Sequence, residues 1–294
     1  MNSVTVVIPH FNRPEFIRNA VMSVRNQTVP PAEILVVDDC STPENQVKLR
    51  ELSDLATIIT TPRNLGLAGA RNFGARNAKG EWLAFLDDDD CYLPDKHERQ
   101  IRYLEAHPHV KALGGGMTMV TPDGKEEYWG GKPTRKVTLA YALCFTACTV
   151  PSMMIRRDTF DEVGGFDERL RHFEDLEFGI RLLASGTETH FLAEPLFIYH
   201  RGGGRAQLSA QWRKMFNAEM NILDMHAELV RKEFGPLGRI RLKARCRKKH
   251  GIWMGRLEGR STWALGCLTE AIFGRHPEHL AHILPPMDGP ASGD

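Results

Sequence analysis

Four consecutive aspartates, Asp87 to Asp90, directly follow the apolar run WLAFL. Crowding that many like charges at the mouth of a buried strand is unfavourable unless a cation compensates them. Carboxylate oxygens suit Mg²⁺ or Mn²⁺, which also bind phosphate oxygens. The sequence therefore predicts a divalent metal and a diphosphate-bearing substrate here. An acidic solvated loop, or a helix cap before Pro94, would give the same run.

Asp38 and Asp39 follow a second apolar run, EILVV, in the same way. A carboxylate in this position can accept hydrogen bonds from a base or a ribose, or it can cap the next helix. Farther along, Arg71 lies one turn into a candidate helix that begins near Gly66 and Gly69. Backbone amides at a helix N-terminus together with a guanidinium would favour a bound anion.

The second half of the chain adds two carboxylates and a histidine. Glu174 and Asp175 open an amphipathic segment, where they are candidates for a general base or favourable first-turn acids. His200 follows the apolar run LFIY at a strand end, where it could ligate a metal or serve only the structure.

The elements that position these side chains are apolar strands alternating with amphipathic helices. This is the pattern of parallel strands joined by crossover helices. The strands are predicted at 4–8, 33–37, 57–60 and 82–86, and the helices at 14–26, 43–52 and 68–78. Consecutive apolar positions indicate strands covered on both faces. Open sheets of this kind bind ligands beyond the carboxyl ends of their strands, where the aspartates lie.

After His107 the pattern changes to strands and loops, which we interpret as the half that binds an acceptor. A strand is predicted at 150–157, a helix at 174–185, one or two strands at 191–200 interrupted at Pro195, and helix from 207 onward.

The composition describes an ordinary globular protein, with 38 Lys plus Arg against 37 Asp plus Glu in 294 residues. A net charge of +1 gives no general attraction to nucleic acid. No run approaches the roughly 18 apolar residues of a membrane span, and no signal peptide opens the sequence. The six cysteines lack metal-site spacing and are predicted to be reduced. We expect a cytoplasmic location.

Residues 231–260 hold eleven basic and two acidic side chains, which gives this segment a net charge of +9. Since the whole chain has a net charge of +1, the remaining residues have a net charge of −8. Such a segment could lie on an anionic membrane surface, and a solvated helical face would give the same charge run. A disordered tail is predicted at 284–294.

In order, VVIPHFNR, VVDDCS, RNLGLAGARNFGARNAKGEWLAFLDDDD, GGFDE and FEDLEFGIRL resemble the motifs of family 2 glycosyltransferases with the GT-A fold. The resemblance covers about residues 4–205. It implies a Rossmann-like mixed α/β sheet flanked by helices, with a helical C-terminal extension. The implied domains are a transferase domain at 1–230, with a nucleotide-sugar half (1–106) and an acceptor half (107–230), a basic helical extension at 231–283 and the tail.

The resemblance also implies a role for each matching residue. Pro9 would line the nucleotide pocket, Asp39 would contact the base and Arg71 would lie by the diphosphate. Asp87 and Asp89 would be the ends of the DxD motif, with Asp89 a metal ligand, Asp87 nearer the ribose and Asp88 counted with the donor site. Because all four positions are aspartate, residue type does not fix this register. Asp175 would be the catalytic base with Glu174 beside it, and His200 a further metal ligand.

The implied reaction is inverting transfer of a sugar from a nucleotide-diphospho-sugar, assisted by Mn²⁺ or Mg²⁺, to an acceptor hydroxyl of a glycan or lipid-linked saccharide. The QxxRW motif of processive synthases is missing, which predicts addition of one sugar or a few. Cys40 replaces the family's glycine, which predicts a turn without positive φ or a slightly strained one. A sugar nucleotidyltransferase and a catalytically inactive sugar-nucleotide-binding scaffold remain as alternatives.

Overall fold

The computed structural model describes residues 3–121, 123–129, 134–143, 149–200 and 212–253, with side chains in the last range described for 214–247. By their contacts the described residues form two units. The first contains residues 3–138 and 149–200 within those ranges, and the second contains residues 139–143 and 212–253. The predicted boundary at residue 230 falls inside the second unit, and the functional division of the chain stays a prediction.

The strands are β1 (Val4–His10), β2 (Glu33–Asp38), β3 (Thr57–Thr60), β4 (Trp82–Phe85), β5 (Cys91–Tyr92), β6 (Ala112–Val120), β7 (Glu126–Trp129), β8 (Arg135–Lys136), β9 (Met154–Arg156) and β10 (Thr189–His200). The helices are α1 (Pro14–Arg25), α2 (Pro43–Arg50), α3 (Gly66–Asn77), α4 (Lys96–Ala106), α5 (Leu139–Ala142), α6 (Arg157–Val163), α7 (Glu174–Ala184), α8 (Trp212–Met225), α9 (Ala227–Phe234) and α10 (Gly238–Trp253).

The first unit is built on one mixed sheet with the strand order β3-β2-β1-β4-β9-β6-β10-β5. Strands β3, β2, β1 and β4 are parallel, as the alternating pattern predicts. Strand β9 is antiparallel to both β4 and β6, whereas β10 runs parallel to β6 and antiparallel to β5. The mixed α/β sheet flanked by helices predicted from the sequence is therefore confirmed.

Alternate residues of the central strands face two separate cores. In β1, Val6 and Ile8 pack with the apolar face of α1, and Val7 packs on the other side with α3. This arrangement explains the uninterrupted apolar runs, because a strand covered on both faces needs no polar side. Strand β3 departs from that expectation: Thr57 and Thr60 are exposed because the strand lies at the edge of the sheet.

Two strands of the second half differ from their predicted bounds. The strand predicted at 150–157 reduces to β9, because Val150–Ser152 forms a single 3-10 turn with Pro151 near its start. Strand β10 continues through Pro195, with irregular register against β6 on either side of that residue. A bulge lets a strand accommodate a proline, which cannot donate to the ladder.

The second unit is helical over its described residues. Asp224 of α8 joins two basic side chains of α10, at 2.8 Å from Arg239 and 2.6 Å from Lys243. Among the described residues, no helix is both long enough and apolar enough to span a bilayer. Every residue after Trp253, including the tail predicted at 284–294, lies outside the described residues.

Candidate functional site

The carboxyl ends of three parallel strands bring the predicted aspartates to one edge of the sheet. His10 pairs with Asp38 at the ends of β1 and β2, and Val7 pairs with Phe85 on the other side of β1. The loops after β1, β2 and β4 therefore meet at this edge, where ligand sites of open α/β sheets lie. The end of β10 joins them, because the His200 amide donates to Asp90 Oδ1 at 3.1 Å.

The four aspartates after β4 divide into inward and outward pairs. Asp88 is buried, where its Oδ2 lies 2.9 Å from His10 Nδ1 and its Oδ1 accepts a hydrogen bond from Arg13. Asp90 is also buried, and its Oδ2 has no hydrogen-bond partner among the described residues. Asp87 and Asp89 are partly exposed. Asp87 and Asp89 thus face outward, and the register of the DxD motif stays a prediction.

Each outward aspartate accepts from a guanidinium of its own chain. Asp87 Oδ1 lies 2.5 Å from Arg71, and Asp89 Oδ2 lies 2.8 Å from Arg13. Burial, followed by the charge of Asp87, raises the pKa of Asp89, and the same causes raise the pKa of Asp90 well above its ordinary value. These carboxylates repel one another, and a divalent cation would relieve that repulsion.

His200 lies against the aspartate loop. Its Nδ1 is 2.9 Å from the backbone oxygen of Asp89, which can only accept, so Nδ1 donates and in the neutral ring Nε2 is the acceptor nitrogen. Metal-binding histidines commonly hold this tautomer in the same way. The oxygen and nitrogen donors here, together with the unpartnered Oδ2 of Asp90, fit a divalent cation. Asp87, Asp89 and His200 are nevertheless not gathered into a compact three-ligand set.

Arg71 joins three elements of the site. It lies on α3, is 2% exposed, and donates to Asp87 after β4 and to Glu174 at the start of α7, the latter at 2.7 Å. Its guanidinium carbon is also 5.6 Å from the ring centre of Phe166. Burial alone would lower the pKa of Arg71, but the two carboxylates raise it. The guanidinium predicted to contact the diphosphate thus already makes two ion pairs within the chain, with Asp87 and Glu174.

Asp175 lies next to Glu174 but in a different environment. Its Oδ1 accepts from the backbone amide of Leu176 at 2.7 Å, and the carboxyl lines a small apolar cavity. The other lining residues are Val150, Met153, Phe166, Phe178, Gly179 and Leu182. Burial, followed by the charge of Glu174, raises the pKa of Asp175 to about 7. A carboxyl with that pKa is matched to general-base chemistry near neutral pH.

Asp39 is buried and binds the start of α3. Its oxygens accept from the amides of Leu65 and Gly66 at 2.7 and 2.8 Å and from the Thr61 hydroxyl at 3.0 Å. The amides of Leu65 and Gly66 at this helix start are therefore occupied by the carboxylate of Asp39, and a further anion near Arg71 stays a prediction. Pro9 is buried in β1 opposite Val37. The contacts of Pro9 and Asp39 with a nucleotide stay predictions.

The turn after β2 is strained at Cys40. The sequence left open either a turn without positive φ or a slightly strained one, and the structure has the strained form. The φ of Cys40 is +63°, a left-handed conformation that costs a residue with a Cβ about 1–2 kcal/mol. Asn12, at φ +56°, supports this turn by accepting from the Thr42 amide at 2.8 Å and from Asn45 at 3.0 Å. Among the described residues, Cys40, Cys91 and Cys246 form no disulfide, and the other three cysteines lie outside the described residues, so the reduced state of the six stays a prediction.

Sequence reasoning missed His10, Asn12 and Arg13. All three lie at or just beyond the end of β1, where side chains meet the aspartate loop and the turn after β2. Their position after an apolar strand was a usable signal, equal to the one that pointed to Asp39. What the sequence could not give was the pairing of Arg13 with both Asp88 and Asp89, which depends on the conformation of two loops.

Comparison with known proteins supplies the family. A family model described as "Glycosyl transferase family 2" matches residues 5–164. An uncharacterized glycosyltransferase of Haemophilus influenzae is 32% identical over 66% of this chain and 66% of its own length. The putative teichuronic acid biosynthesis glycosyltransferase TuaG of Bacillus subtilis is 28% identical over 67% of this chain and 78% of its own. The chain thus spans about two thirds of the first relative.

Solved structures bear on the fold alone, because their identities are below 20%. S. aureus TarS in complex with UDP-GlcNAc is similar at a TM-score of 0.66 and 19% identity, over 96% of this chain and 84% of that one. Mannosyltransferase PcManGT from Pyrobaculum calidifontis, in complex with GDP-Man and Mn²⁺, gives a TM-score of 0.62 at 18% identity, over 92% and 74%. Both likenesses agree with the fold expected from the sequence.

Proposed function

Since the chain belongs to glycosyl transferase family 2, we propose that it moves a sugar from a nucleotide-diphospho-sugar to an acceptor hydroxyl and inverts the anomeric centre. The observation that carries this proposal is the chain of contacts from Asp87 through Arg71 to Glu174, with Asp175 as the next residue. These contacts link the aspartate loop after β4 to the start of α7. A donor diphosphate and an acceptor hydroxyl would meet between these two places.

The donor is assigned to the edge formed by the loops after β1, β2 and β4. Pro9 and Asp39 would lie along the nucleoside, with Asp87 near the ribose and Arg71 near the diphosphate. Asp88 supports the donor site from within, since His10 and Arg13 hold its carboxylate. The bound donors of TarS and PcManGT, UDP-GlcNAc and GDP-Man, support the substrate class without choosing between nucleotides.

Asp89 and His200 are the residues proposed to hold Mn²⁺ or Mg²⁺. When bound there, the cation would supply positive charge to the departing nucleoside diphosphate. Asp89 would first have to exchange its ion pair with Arg13, whose side chain is 36% exposed and would keep its second ion pair, with Asp88. Released from Asp89, the guanidinium of Arg13 would lie beside the diphosphate and could donate to it. The Mn²⁺ bound to PcManGT supports the metal.

Asp175 is proposed as the general base. Its carboxyl would take the proton of the acceptor hydroxyl as the oxygen attacks the face opposite the leaving group, through a transition state with oxocarbenium-like charge. The neighbouring Glu174 would keep the pKa of Asp175 high enough for this task and would hold Arg71 in place.

The acceptor is proposed to be a glycan or lipid-linked saccharide of cell-surface polysaccharide synthesis. The name of TuaG and that of the Erwinia amylovora relative AmsE, an amylovoran biosynthesis glycosyltransferase 25% identical over 72% of this chain, support this class. A cytoplasmic enzyme that reaches such acceptors through the basic segment at 231–260 would meet them at the membrane surface.

The test of this proposal is Asp175→Asn, assayed for transfer and for donor binding. Loss of a general base should lower kcat by about 10²–10⁴-fold while the donor affinity holds. Asp158→Asn, an exposed acid on α6 that pairs with Arg156, is the matched control and should leave kcat unchanged. Equal loss of donor binding and kcat would contradict the base role, and pyrophosphate release from a nucleoside triphosphate and a sugar phosphate would favour a nucleotidyltransferase.

A further inference from the structure

Two histidines and a glutamate meet at the end of the sheet away from the aspartate loop. His109 lies in the loop between α4 and β6, Glu188 immediately precedes β10, and His190 is the second residue of that strand. One ligand atom from each falls within 4.8 Å of the other two, and Glu188 Oε1 is 2.9 Å from His190 Nε2. Within the described part of the chain, this is the three-residue set compact enough to hold a metal ion.

We propose that His109, Glu188 and His190 form a binding site for Zn²⁺. Two imidazole nitrogens and one carboxylate oxygen are the donor set of an open three-ligand zinc site, with water in the fourth position. The same set suits Mg²⁺ and Mn²⁺ poorly, since those ions prefer oxygen ligands. The site therefore differs in chemistry from the aspartate loop.

The surroundings of His190 support this assignment. Its Nδ1 lies 2.7 Å from the Tyr103 hydroxyl, so that ring nitrogen is already occupied and Nε2 is directed toward Glu188. Without metal, Nε2–H donates to the Glu188 carboxylate and Nδ1 accepts from the Tyr103 hydroxyl. A metal at Nε2 would take the place of that proton, and Nδ1–H would then donate to the Tyr103 oxygen, the kind of outer contact that commonly orients a ligating histidine. The ring of His107 stacks on Tyr103 at 4.1 Å and holds the phenol in place.

Lys136 is the group that opposes a cation here, because its ammonium pairs with Glu188. The pair uses Oε2 of Glu188, whereas Oε1 faces His190. The Lys136 side chain is 60% exposed, so it can turn into solvent when a metal enters. Lys136→Ala should accordingly tighten zinc binding.

The proposed site is remote from the catalytic edge. His190 and His200 are ten residues apart along β10, which corresponds to roughly 30 Å of strand. Bound zinc would tie the loop after α4 to the start of β10. Its role would be to fix those two segments rather than to take part in sugar transfer.

The test uses the full chain prepared without a histidine tag, stripped with a chelator and titrated with Zn²⁺ in excess Mg²⁺, so that the aspartate loop is saturated. We expect one zinc per chain and a rise in Tm. His109→Ala and His190→Ala should each weaken binding by more than about 100-fold, and Tyr103→Phe, which removes only the outer hydroxyl, by about 10–100-fold.

His226→Ala is the matched control, since it removes a histidine of the second unit, outside the ligand set, and should leave zinc binding in place. Asp89→Asn should also retain it, which separates this site from the aspartate loop. X-ray absorption of the bound zinc should show nitrogen and oxygen neighbours at about 2.0–2.2 Å. Absence of stoichiometric binding, or binding that survives both His109→Ala and His190→Ala, would overturn the proposal.

Discussion

Among single residues, the protonation state of Asp175 decides whether the proposed reaction proceeds. A base works only when it is unprotonated, and burial beside Glu174 raises the pKa of Asp175 to about 7. We therefore predict that kcat rises with pH up to about 7 and is level above it. Removing the negative charge in Glu174→Gln should move this inflection to lower pH. The measurement is kcat between pH 5 and 9, and an inflection that Glu174→Gln does not move would contradict the assignment.

The raised pKa of Asp175 also makes the free energy of unfolding depend on pH. An aspartate in a salt bridge has a lowered pKa and stabilises the fold at high pH, whereas Asp175 stabilises it at low pH. The folded state binds the Asp175 proton more tightly than the unfolded state, in which the pKa is about 3.9. Its stabilising contribution is therefore complete below pH 4 and is lost as the pH rises through about 7. Asp175→Asn should be more stable than the natural chain at pH 8, with the difference shrinking at pH 4, as urea unfolding would measure.

The residue types alone predicted a functional site at the four aspartates after β4. They did not predict that the four carboxyl groups lie in different environments. Asp87 to Asp90 are identical in sequence, yet Asp88 and Asp90 are buried and the other two are not. That division comes from the turn after β4 and from Arg13, His10 and the His200 amide, which belong to other parts of the chain. Such partners are long-range, so a motif cannot specify them.

Among the helices and strands, Arg71 connects α3 to the loop after β4 and to α7 through its ion pairs with Asp87 and Glu174. Arg71→Met keeps the length of the side chain but leaves Asp87 and Glu174 without their shared cation. Breaking a buried ion pair on one side costs about 3–5 kcal/mol, so we expect a loss of that order in the free energy of unfolding, measured in urea.

Arg76→Met on the same helix is the control for that substitution. Arg76 and Glu168 are both largely exposed and 3.8 Å apart, an arrangement worth at most about 1 kcal/mol. Equal losses for the two variants would show that Arg71 has no clamping role.

The elements that the sequence predicted well are those with strong local patterns. The ranges of β1 to β4 and α1 to α3 agree with their predictions to within about two residues, because buried apolar runs and amphipathic helices are local signals. The short strands β5, β7 and β8 were missed. Two to four residues carry no periodicity, and β5 and β8 form only by pairing with β10, far along the chain.

At the scale of the whole molecule, charge is unevenly distributed. The net +9 of residues 231–260 is balanced by −8 elsewhere. We predict that the chain binds vesicles containing anionic lipid, and that binding weakens as salt shortens the screening length from about 10 Å at 0.1 M to about 3 Å at 1 M.

Sedimentation with anionic and with neutral vesicles measures this prediction. Lys248→Gln with Lys249→Gln should reduce the binding by about 1 kcal/mol per lysine. The control pair Lys48→Gln with Arg50→Gln lies on exposed positions of α2 and should have no effect. If the chain does not bind these vesicles, or binds them equally at low and high salt, the predicted electrostatic interaction with a membrane surface is wrong.

We expect this chain to use a nucleotide-sugar together with a divalent metal. The most direct measurement screens nucleotide-sugars with Mn²⁺ and with chelator, following the rise in Tm and the slow release of nucleoside diphosphate. We predict that one donor raises Tm and is hydrolysed only when metal is present, and that Asp89→Asn abolishes the metal dependence. If no nucleotide-sugar stabilises the chain with metal present, the donor and metal assignments are wrong and a non-catalytic role takes their place.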